Sequence, residues 1–358
     1  MSGRPDGEEC LGDLGERQIL EKVLRPRYAG VAGFGDDAAV LGVPIADRAG
    51  GELVATTDSC PTPLVTVLGE ADLFHTGWLL VTINLSDLAA AGASPLGLVV
   101  NYTLPATTTV REFQRLLDGV DACVAEHGTR VVGGDLRDGG TMQLSATAIG
   151  QCLPDRRLGR AGASAGDRLL LIGQPGYLWA WAFVVAGRAR LPEAQLRQVR
   201  DRAFRPTAQL TAGRVLAESG AVRATMDVSD GLFATVRTLC EANDLGARID
   251  EDIRLDPAVE SVCEQAGVRP FDLAQTWGDW SLVAAVPAGS VEAVIAALAA
   301  EAVPAREIGE LAAAGGGYVL TGPGGERPWQ GIAQERFSSS SWHGDGLDRM
   351  LSDLSRTG

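Results

Sequence analysis

The chain has 358 residues, of which 46% are hydrophobic, and a formal net charge of −15 at pH 7. This length and composition provide for two domains of ordinary size, each with its own hydrophobic core. The acidic charge argues against a nucleic-acid-binding protein and against docking on an anionic membrane, because both require a basic surface.

The N-terminal segment and the lysine content argue against further classes of protein. The first twenty residues lack the basic and apolar regions of a signal peptide, and no apolar run reaches the roughly 18 residues that span a bilayer. We therefore expect a cytoplasmic protein. The only lysine is Lys22, so the chain has neither a P-loop nor the strand lysine of a protein kinase. If it used ATP, it would have to bind the phosphates through metal ions, backbone amides and arginine.

Helices and strands alternate in the first half of the predicted structure. The sequence predicts a short helix at 14–25 and, in GFGDDAAVLG (33–42), a Gly-rich turn that enters a strand. It then predicts strands at 53–59, 97–105, 130–135 and 142–150, and helices at 72–92 and from a cap at Thr108 to Gly128. We expect the strand at 130–135 to run into a Gly-Gly turn.

The composition changes at 151–166, a stretch rich in Gly, Arg and Pro. We place the boundary there, which gives an N-terminal domain at 1–152, a C-terminal α/β domain at 153–322 and a tail at 323–358. In the second domain the sequence predicts a strand at 168–173, followed by a long helical region up to about 220. It then predicts a strand ending in TMDVSDG (225–231) and a helix capped by Ser229 or Asp230. A strand at 280–286 and a helix at 290–302 follow. Strands that alternate with helices in both halves predict an α/β or α+β fold.

A set of aspartates carries the chemical signal. Each lies beside strongly apolar sequence, and most lie next to Gly, Ser or Thr: Asp36, Asp37, Asp58, Asp87, Asp135, Asp227 and Asp230. Any one of them could equally be a helix cap or a turn residue. Carboxylates beside a core are costly unless they are paired, and a hard divalent cation such as Mg²⁺ is the natural partner. Glycines at 33, 35, 133 and 134 would let backbone amides approach phosphate.

The order of the segments is more specific than any one of them. The series GFGDDAAVL, ATTDS, NLSDLAAAGASP, VVGGD, GRAGASAGD and MDVSDGL resembles the thiamine-monophosphate kinase family. That family shares a superfamily with aminoimidazole-ribotide synthetase, selenophosphate synthetase and a hydrogenase maturation protein. The resemblance runs from about Gly15 to about Val286. It implies two α/β domains, a homodimer whose N-terminal strands pair across the dimer, and ATP bound in a cleft between the subunits.

Carried over residue by residue, the resemblance implies a set of Mg²⁺ ligands: Asp37, Thr56, Thr57, Asp58, Asp87, Asp135, Asp227 and Asp230. It also implies that Gly134 and Asp135 lie at the nucleotide phosphates, and that Arg160 and Ser229 contact ATP. A guanidinium group suits phosphate oxygens, which makes the role of Arg160 physically reasonable. We expect Asp58, Asp87 and Asp230 to be the catalytic residues.

The chain departs from the family where the phosphate acceptor is expected to bind. The family has a histidine about seven residues after the TTD aspartate, and Val65 stands there in this chain. The family segment G-E-D-Y-E-L reads W-G-D-W-S-L at 277–282. Gly278 and Ser281 therefore replace both glutamates and Trp280 replaces the tyrosine, while Asp279 is kept.

Aromatic residues around this segment have two possible roles. Trp277 and Trp280 could stack on a ring of the acceptor, or they could belong to the core beneath the following strand. The tail offers Trp329, Phe337 and Trp342 as further aromatic candidates for the acceptor site.

We interpret the chain as an ATP- and Mg²⁺-dependent phosphotransferase that transfers the γ-phosphoryl group to a small acceptor, with thiamine monophosphate as the leading candidate. One alternative is an amide-activating synthetase or cyclase of the same superfamily. Another is a nucleotide-binding protein without catalysis. The intact aspartate set argues against the latter.

Overall fold

A computed structural model of the chain describes residues 21, 26, 36–40, 51–69, 71–331 and 347–356. The described residues form two α/β domains, each built on a mixed sheet with helices packed against it. This confirms the predicted fold class. The helix predicted at 14–25, apart from residue 21, and the residues Gly33, Gly35, Phe337 and Trp342 lie outside the described part of the chain.

The first sheet has five strands in the order β1-β2-β5-β3-β4. They are β1 (Ala39–Val40), β2 (Glu52–Ser59), β3 (Ser94–Leu104), β4 (Val131–Asp138) and β5 (Gln143–Cys152). Strands β3 and β4 are parallel, and the other neighbours are antiparallel. The Gly-Gly turn predicted in β4 is wrong. Gly133 and Gly134 lie inside the strand because they pair with Val99 and Val100 of β3.

Three helices belong to this domain: α1 (Leu64–Val67), α2 (Leu73–Ala90) and α3 (Val110–Glu126). Thr109 rather than Thr108 caps α3, because its hydroxyl accepts the Glu112 amide. Helices α2 and α3 pack closely at two glycines. A Cβ at Gly77 would lie 2.1 Å from the Leu116 carbonyl oxygen. Both helices cover one face of the sheet and bury it.

The second sheet has seven strands in the order β12-β11-β8-β10-β6-β9-β7. They are β6 (Arg168–Ile172), β7 (Ala224–Asp227), β8 (Gly246–Asp250), β9 (Leu282–Val286), β10 (Ala305–Ala312), β11 (Tyr318–Gly322) and β12 (Gly325–Pro328). Strands β11 and β8 are parallel, and all other pairs are antiparallel.

The helices of the second domain cover both faces of this sheet. They are α4 (Tyr177–Val185), α5 (Glu193–Phe204), α6 (Leu210–Ser219), α7 (Leu232–Asn243), α8 (Pro257–Ala266), α9 (Pro270–Ala274), α10 (Val291–Ala300) and α11 (Leu347–Arg356), with a 3₁₀ turn at Ala288–Ser290. The long helical region predicted up to about 220 is therefore three helices. Neither Ser229 nor Asp230 caps α7, which begins after Gly231 without a side-chain cap.

Helix α2 belongs to the cores of both domains, and this positions the functional site. Its residues Ala89 and Ala90 are fully buried in a core that also contains Leu216 of α6. The backbones of α2 and α6 touch at Gly213, where a Cβ would lie 2.1 Å from the Ala89 carbonyl oxygen. The C-terminal turns of α2 are thereby held against the second domain.

The segment predicted as a tail contributes to the second domain. Strand β12 pairs with β11, and Trp329, with 4% of its surface exposed, packs beside Phe233 and Phe271. Helix α11 buries Leu351 and Leu354 in the same core. Among the described helices, none combines the length and the hydrophobicity needed to cross a bilayer.

Candidate functional site

Three aspartates from distant parts of the sequence meet between the two domains. Asp37 precedes β1, Asp87 lies on α2, and Asp227 ends β7. One carboxylate oxygen from each lies within 4.8 Å of the others. The sequence predicted all three as metal ligands, and the structure brings them together.

Hydroxyl groups hold two of these carboxylates in place. Ser86 donates its hydroxyl to Asp227 Oδ2 at 2.8 Å, and Thr56 of β2 donates to Asp87 Oδ2 at 2.6 Å. Ser86 is fully buried and Asp227 is 2% exposed. The side chains are therefore oriented by the fold itself, before any ligand binds.

Arginine from the segment between the domains holds the third carboxylate. Arg160 donates from Nη2 to Asp37 Oδ1 at 2.7 Å, and its backbone amide donates to Asp36 Oδ1 at 2.9 Å. Arg157 donates to the other oxygen of Asp36, also at 2.9 Å. Asp36 thus anchors the segment, while Arg160 lies at the cluster, where its guanidinium group is close enough to interact with Asp87 and Asp227 as well.

Burial and the short distances between the negative charges raise the pKa values of the aspartates in the cluster. Burial and the nearby charge of Asp37 raise the pKa of Asp227 to about 8, although the Ser86 hydrogen bond opposes this. Burial and the charges of Asp227, Asp37 and Asp58 raise the pKa of Asp87 well above its ordinary value. Burial also raises the pKa of Asp37, against the attraction of Arg160.

Asp58 lies next to the three aspartates. Its backbone amide donates to Asn84 Oδ1 at 3.0 Å, which ties the end of β2 to α2. Its carboxylate is close enough to raise the pKa values of Asp87 and Asp227. The neighbourhood therefore contains four carboxylates and one guanidinium group.

This donor set suits a divalent metal ion. Buried like charges at such short range are unfavourable, and one guanidinium group cannot neutralise four carboxylates. Carboxylate oxygens and a threonine hydroxyl are the hard ligands that Mg²⁺ prefers. The cluster can therefore hold Mg²⁺, and Asp37, Asp87 and Asp227 are placed to share an ion.

The structure separates Thr57 from the cluster, although the sequence analysis grouped it with Thr56. Successive residues of a strand point to opposite faces, so Thr56 and Asp58 face α2 while Thr57 faces away. Thr57 donates to the Ala146 carbonyl and accepts from Thr147 across the open face of the sheet.

Gly134 and Asp135 also lie away from the cluster within one chain. They are exposed on β4, the edge strand, which is three strands from β2. At ordinary strand spacing, this separates them from Thr56 and Asp58 by about 14 Å. Ser229 and Asp230 are half-buried in the loop that directly follows Asp227.

The segment that departs from the family pattern is packed tightly. Gly278 has φ +103°, and a Cβ there would lie 2.1 Å from Leu178 Cδ2 of α4. Val65, with 2% exposed surface, belongs to the same core as Leu178. Apolar packing thus occupies the places where the resemblance implies a histidine and a glutamate.

The tryptophans of this segment belong mainly to the core. Trp280 is 9% exposed, and its φ of +51° is unusual for a bulky residue. Trp277 packs edge-on against Trp179 with ring centres 4.7 Å apart. The alternative of a core residue therefore fits Trp280, and Trp329, a candidate for the acceptor site in the tail, is also buried in the core of the second domain.

Sequence reasoning missed two residues that support the site. Ser86 could have been noticed as a polar residue next to Asp87 on an otherwise apolar helix. Asn243 of α7 gave no signal. It accepts the amides of Gly162 and Ala163 at 2.7 and 3.0 Å and donates to the Arg160 carbonyl at 2.8 Å, which fixes the segment that carries Arg160.

Comparison with known proteins matches both domains. The family model for the N-terminal domain of AIR synthase related proteins matches residues 35–152, and the model for their C-terminal domain matches residues 164–321. A thiamine-monophosphate kinase from Synechococcus elongatus is 32% identical over 68% of this chain and 74% of its own length. One from Halobacterium salinarum is 31% identical over 82% of this chain and 92% of its own length. The crystal structure of thiamine-monophosphate kinase from Stenotrophomonas maltophilia K279a has a TM-score of 0.67 at 28% identity, covering 84% of this chain and 95% of that chain.

Proposed function

This chain belongs to the thiamine-monophosphate kinase family, and from that premise we propose that it transfers the γ-phosphoryl group of ATP to thiamine monophosphate. The observation that carries the proposal is the meeting of Asp37, Asp87 and Asp227 at the junction of the domains. A cluster of buried carboxylates is what a phosphotransferase without a P-loop lysine needs in order to bind the metal ions that accompany a triphosphate.

Mg²⁺ would be held by Asp37, Asp87 and Asp227, with Asp58 and Thr56 beside them. When bound, it would supply positive charge to the phosphate oxygens. The remaining contributions come from the chain itself. Arg160 presents a guanidinium group at the same place, where it can contact phosphate, and Asn243 fixes the backbone on which it is carried. Ser229 and Asp230, next to the cluster, complete the proposed set of contacts to nucleotide and metal.

The proposed reaction is a direct displacement. The bond between the γ-phosphorus and the bridging oxygen of ADP breaks, and a bond from an oxygen of the acceptor phosphate to that phosphorus forms. An acceptor phosphate is already ionised at neutral pH, so no side chain has to remove a proton. The protein then contributes mainly by positioning the two substrates and by balancing charge.

We also propose a homodimer. Gly134 and Asp135 lie about 14 Å from the cluster within one chain at ordinary strand spacing, so a role at the same nucleotide would require a second copy. Apolar side chains along β3 and β4 support this: Leu96, Val99, Val132 and Leu136 are between 38% and 60% exposed. Such a surface is typical of a subunit interface.

The test is a product assay with Mg·ATP and thiamine monophosphate. Formation of thiamine diphosphate together with an equal amount of ADP supports the kinase. Free phosphate with a condensed product supports the amide-activating alternative. Asp87→Asn is the inactive control, because it removes a carboxylate from the cluster without changing the size of the side chain. ATP binding without any turnover in the native protein would favour the nucleotide-binding alternative.

A further inference from the structure

A cavity of about 360 Å³ opens in the second domain, outside the carboxylate cluster. It lies between the end of β6, the connection from α5 to α6, and the residues before β10. Its polar lining consists of Gln174, Tyr177, Arg202, Thr207, Gln209 and Asp279. Only Asp279 belongs to the segments that the sequence analysis singled out. The volume is in the range that proteins use for small ligands.

The cavity contains a cation that pairs with no described residue. Arg202 is an exposed residue of α5. On the same helix Arg197 pairs with Glu193, whereas Arg200 lies over the ring of Phe204. No ion pair or hydrogen bond of Arg202 occurs among the described residues. Arg202 therefore adds to the cavity lining a guanidinium group that no described carboxylate neutralises.

A second donor is oriented by a hydrogen-bond network. The hydroxyl of Tyr177 donates to Gln174 Oε1 at 3.1 Å, and Gln198 donates to the same hydroxyl at 3.3 Å. The carbonyl oxygen of Gln174 is used in this way, while its amide NH₂ group makes no hydrogen bond among the described residues. Thr207 adds a hydroxyl group to the lining.

Among the described residues that line the cavity, the one acid, Asp279, is already satisfied by the protein. Asp279 accepts the backbone amides of Gly176 at 2.7 Å and Leu178 at 3.2 Å, and so caps the beginning of α4. Burial raises the pKa of Asp279 to about 7, against the effect of these hydrogen bonds. Its charge is therefore partial at neutral pH and directed toward amides rather than toward the cavity.

A buried hydroxyl group behind the cavity lining has no partner among the described residues. Ser281 is 1% exposed, and its Oγ makes no hydrogen bond. It lies behind Gly173, where an added Cβ would be 3.1 Å from that oxygen. A buried hydroxyl without a partner is costly, and a bound water is the usual way to satisfy it.

We propose that this cavity binds a small anionic metabolite that carries a carboxylate or a phosphate group, with Arg202, Gln174 and Thr207 as its donors. The site is separate from the carboxylate cluster, and its existence does not depend on the phosphotransferase reaction. The acidic cluster repels anions when no metal is bound, so removing the metal reduces anion binding at the cluster, and the Arg202 variant then reports on the cavity.

The experiment measures anion binding to the full-length protein after Mg²⁺ has been removed and the chelator dialysed away. Inorganic phosphate and malonate are titrated separately, and the melting temperature is followed at constant ionic strength. Arg202→Gln removes the unpaired cation. Arg197→Gln makes the same change on the same helix outside the cavity and is the matched control. Thr207→Val removes a hydroxyl group at nearly constant volume.

We expect a saturable rise in melting temperature in the native protein and in Arg197→Gln. The apparent affinity should fall about tenfold or more in Arg202→Gln and about threefold in Thr207→Val. A response to phosphate alone or to malonate alone identifies the anion class. A small linear rise that is the same in all variants, which reflects exclusion of the salt from the protein surface, would overturn the proposal. So would saturable binding that Arg202→Gln leaves unchanged.

Discussion

The hydroxyl of Ser86 donates to Asp227 Oδ2 at 2.8 Å, and this hydrogen bond connects the two domains at the carboxylate cluster. Ser86 lies on α2 in the first domain, next to Asp87, while Asp227 ends β7 in the second. Ser86 thus holds the carboxylate of Asp227 in place, and the next residue of the same helix, Asp87, is itself a carboxylate of the cluster. The distance between the carboxylates is consequently set by the packing of α2 against both cores.

The stability of the metal-free protein should depend on pH through Asp227. The folded protein binds this proton more tightly than the unfolded chain, in which an aspartate titrates near a pKa of about 3.9. The resulting stabilisation is complete below that pH and is lost as the pH rises through about 8. Asp227→Asn should therefore melt at least about 3 °C above the native protein at pH 8.5 without metal, and the difference should shrink at pH 5.

The control for this experiment is Asp118→Asn, which makes the same change at an exposed position on α3. Mg²⁺ should raise the melting temperature of the native protein and of Asp118→Asn, but not that of Asp227→Asn. If Asp227→Asn and Asp118→Asn have the same melting temperature at pH 8.5, ionisation of Asp227 does not destabilise the folded protein.

Two neighbouring threonines provide a matched pair of variants. Thr56→Val removes the 2.6 Å hydrogen bond to Asp87 and leaves the shape nearly unchanged, whereas Thr57→Val changes the opposite face of the sheet. We expect the Mg²⁺ concentration at half-maximal activity to rise about threefold to tenfold in Thr56→Val and to change less than about twofold in Thr57→Val. Equal effects of the two substitutions would contradict the assignment of faces.

The exposed apolar surface of β3 predicts the behaviour of a charged variant. Val99→Asp places a carboxylate on the open face of the first sheet, where Val99 is 40% exposed. We expect the native protein to be a dimer by light scattering and Val99→Asp to be a monomer with at least about tenfold lower kinase activity. Val110→Asp, at a 75% exposed position on α3, is the control and should remain a dimer. An active native monomer would rule out a shared site.

The contact between Gly278 and Leu178 can be tested by a double-mutant cycle. Gly278→Ala should lower the free energy of unfolding by about 2–4 kcal/mol, since the Cβ meets Leu178 and the backbone has a positive φ. In the background of Leu178→Ala, the same substitution should cost at least about 1 kcal/mol less. Urea unfolding of the four proteins measures this coupling, and additive effects would show that the two residues do not meet.

The sequence contained enough information for the fold class and for the central cluster. Asp37, Asp87 and Asp227 each lie beside strongly apolar sequence, and the order of the motifs along the chain, theirs included, carried the resemblance to the family. The alternation of side chains in a strand would also have separated Thr56 from Thr57, because β2 was correctly predicted as a strand.

Other features depend on how distant segments pack. The location of Asp135 could not be read from the motif VVGGD, because it depends on β4 being the edge strand of the first sheet. The role of Asn243 depends on α7 lying beside the segment that carries Arg160. The cavity around Arg202 is formed by three segments that are far apart in sequence, and none of them carries a recognisable motif.

Equilibrium binding of ATP as a function of Mg²⁺ concentration shows whether carboxylates of both domains bind metal together and thereby hold the nucleotide. Shared metal binding predicts that ATP binding requires Mg²⁺ in the native protein and in Asp118→Asn, and that it is weakened at least about a hundredfold in both Asp87→Asn and Asp227→Asn. ATP binding that survives complete removal of Mg²⁺, or that is unchanged in Asp227→Asn, would contradict it.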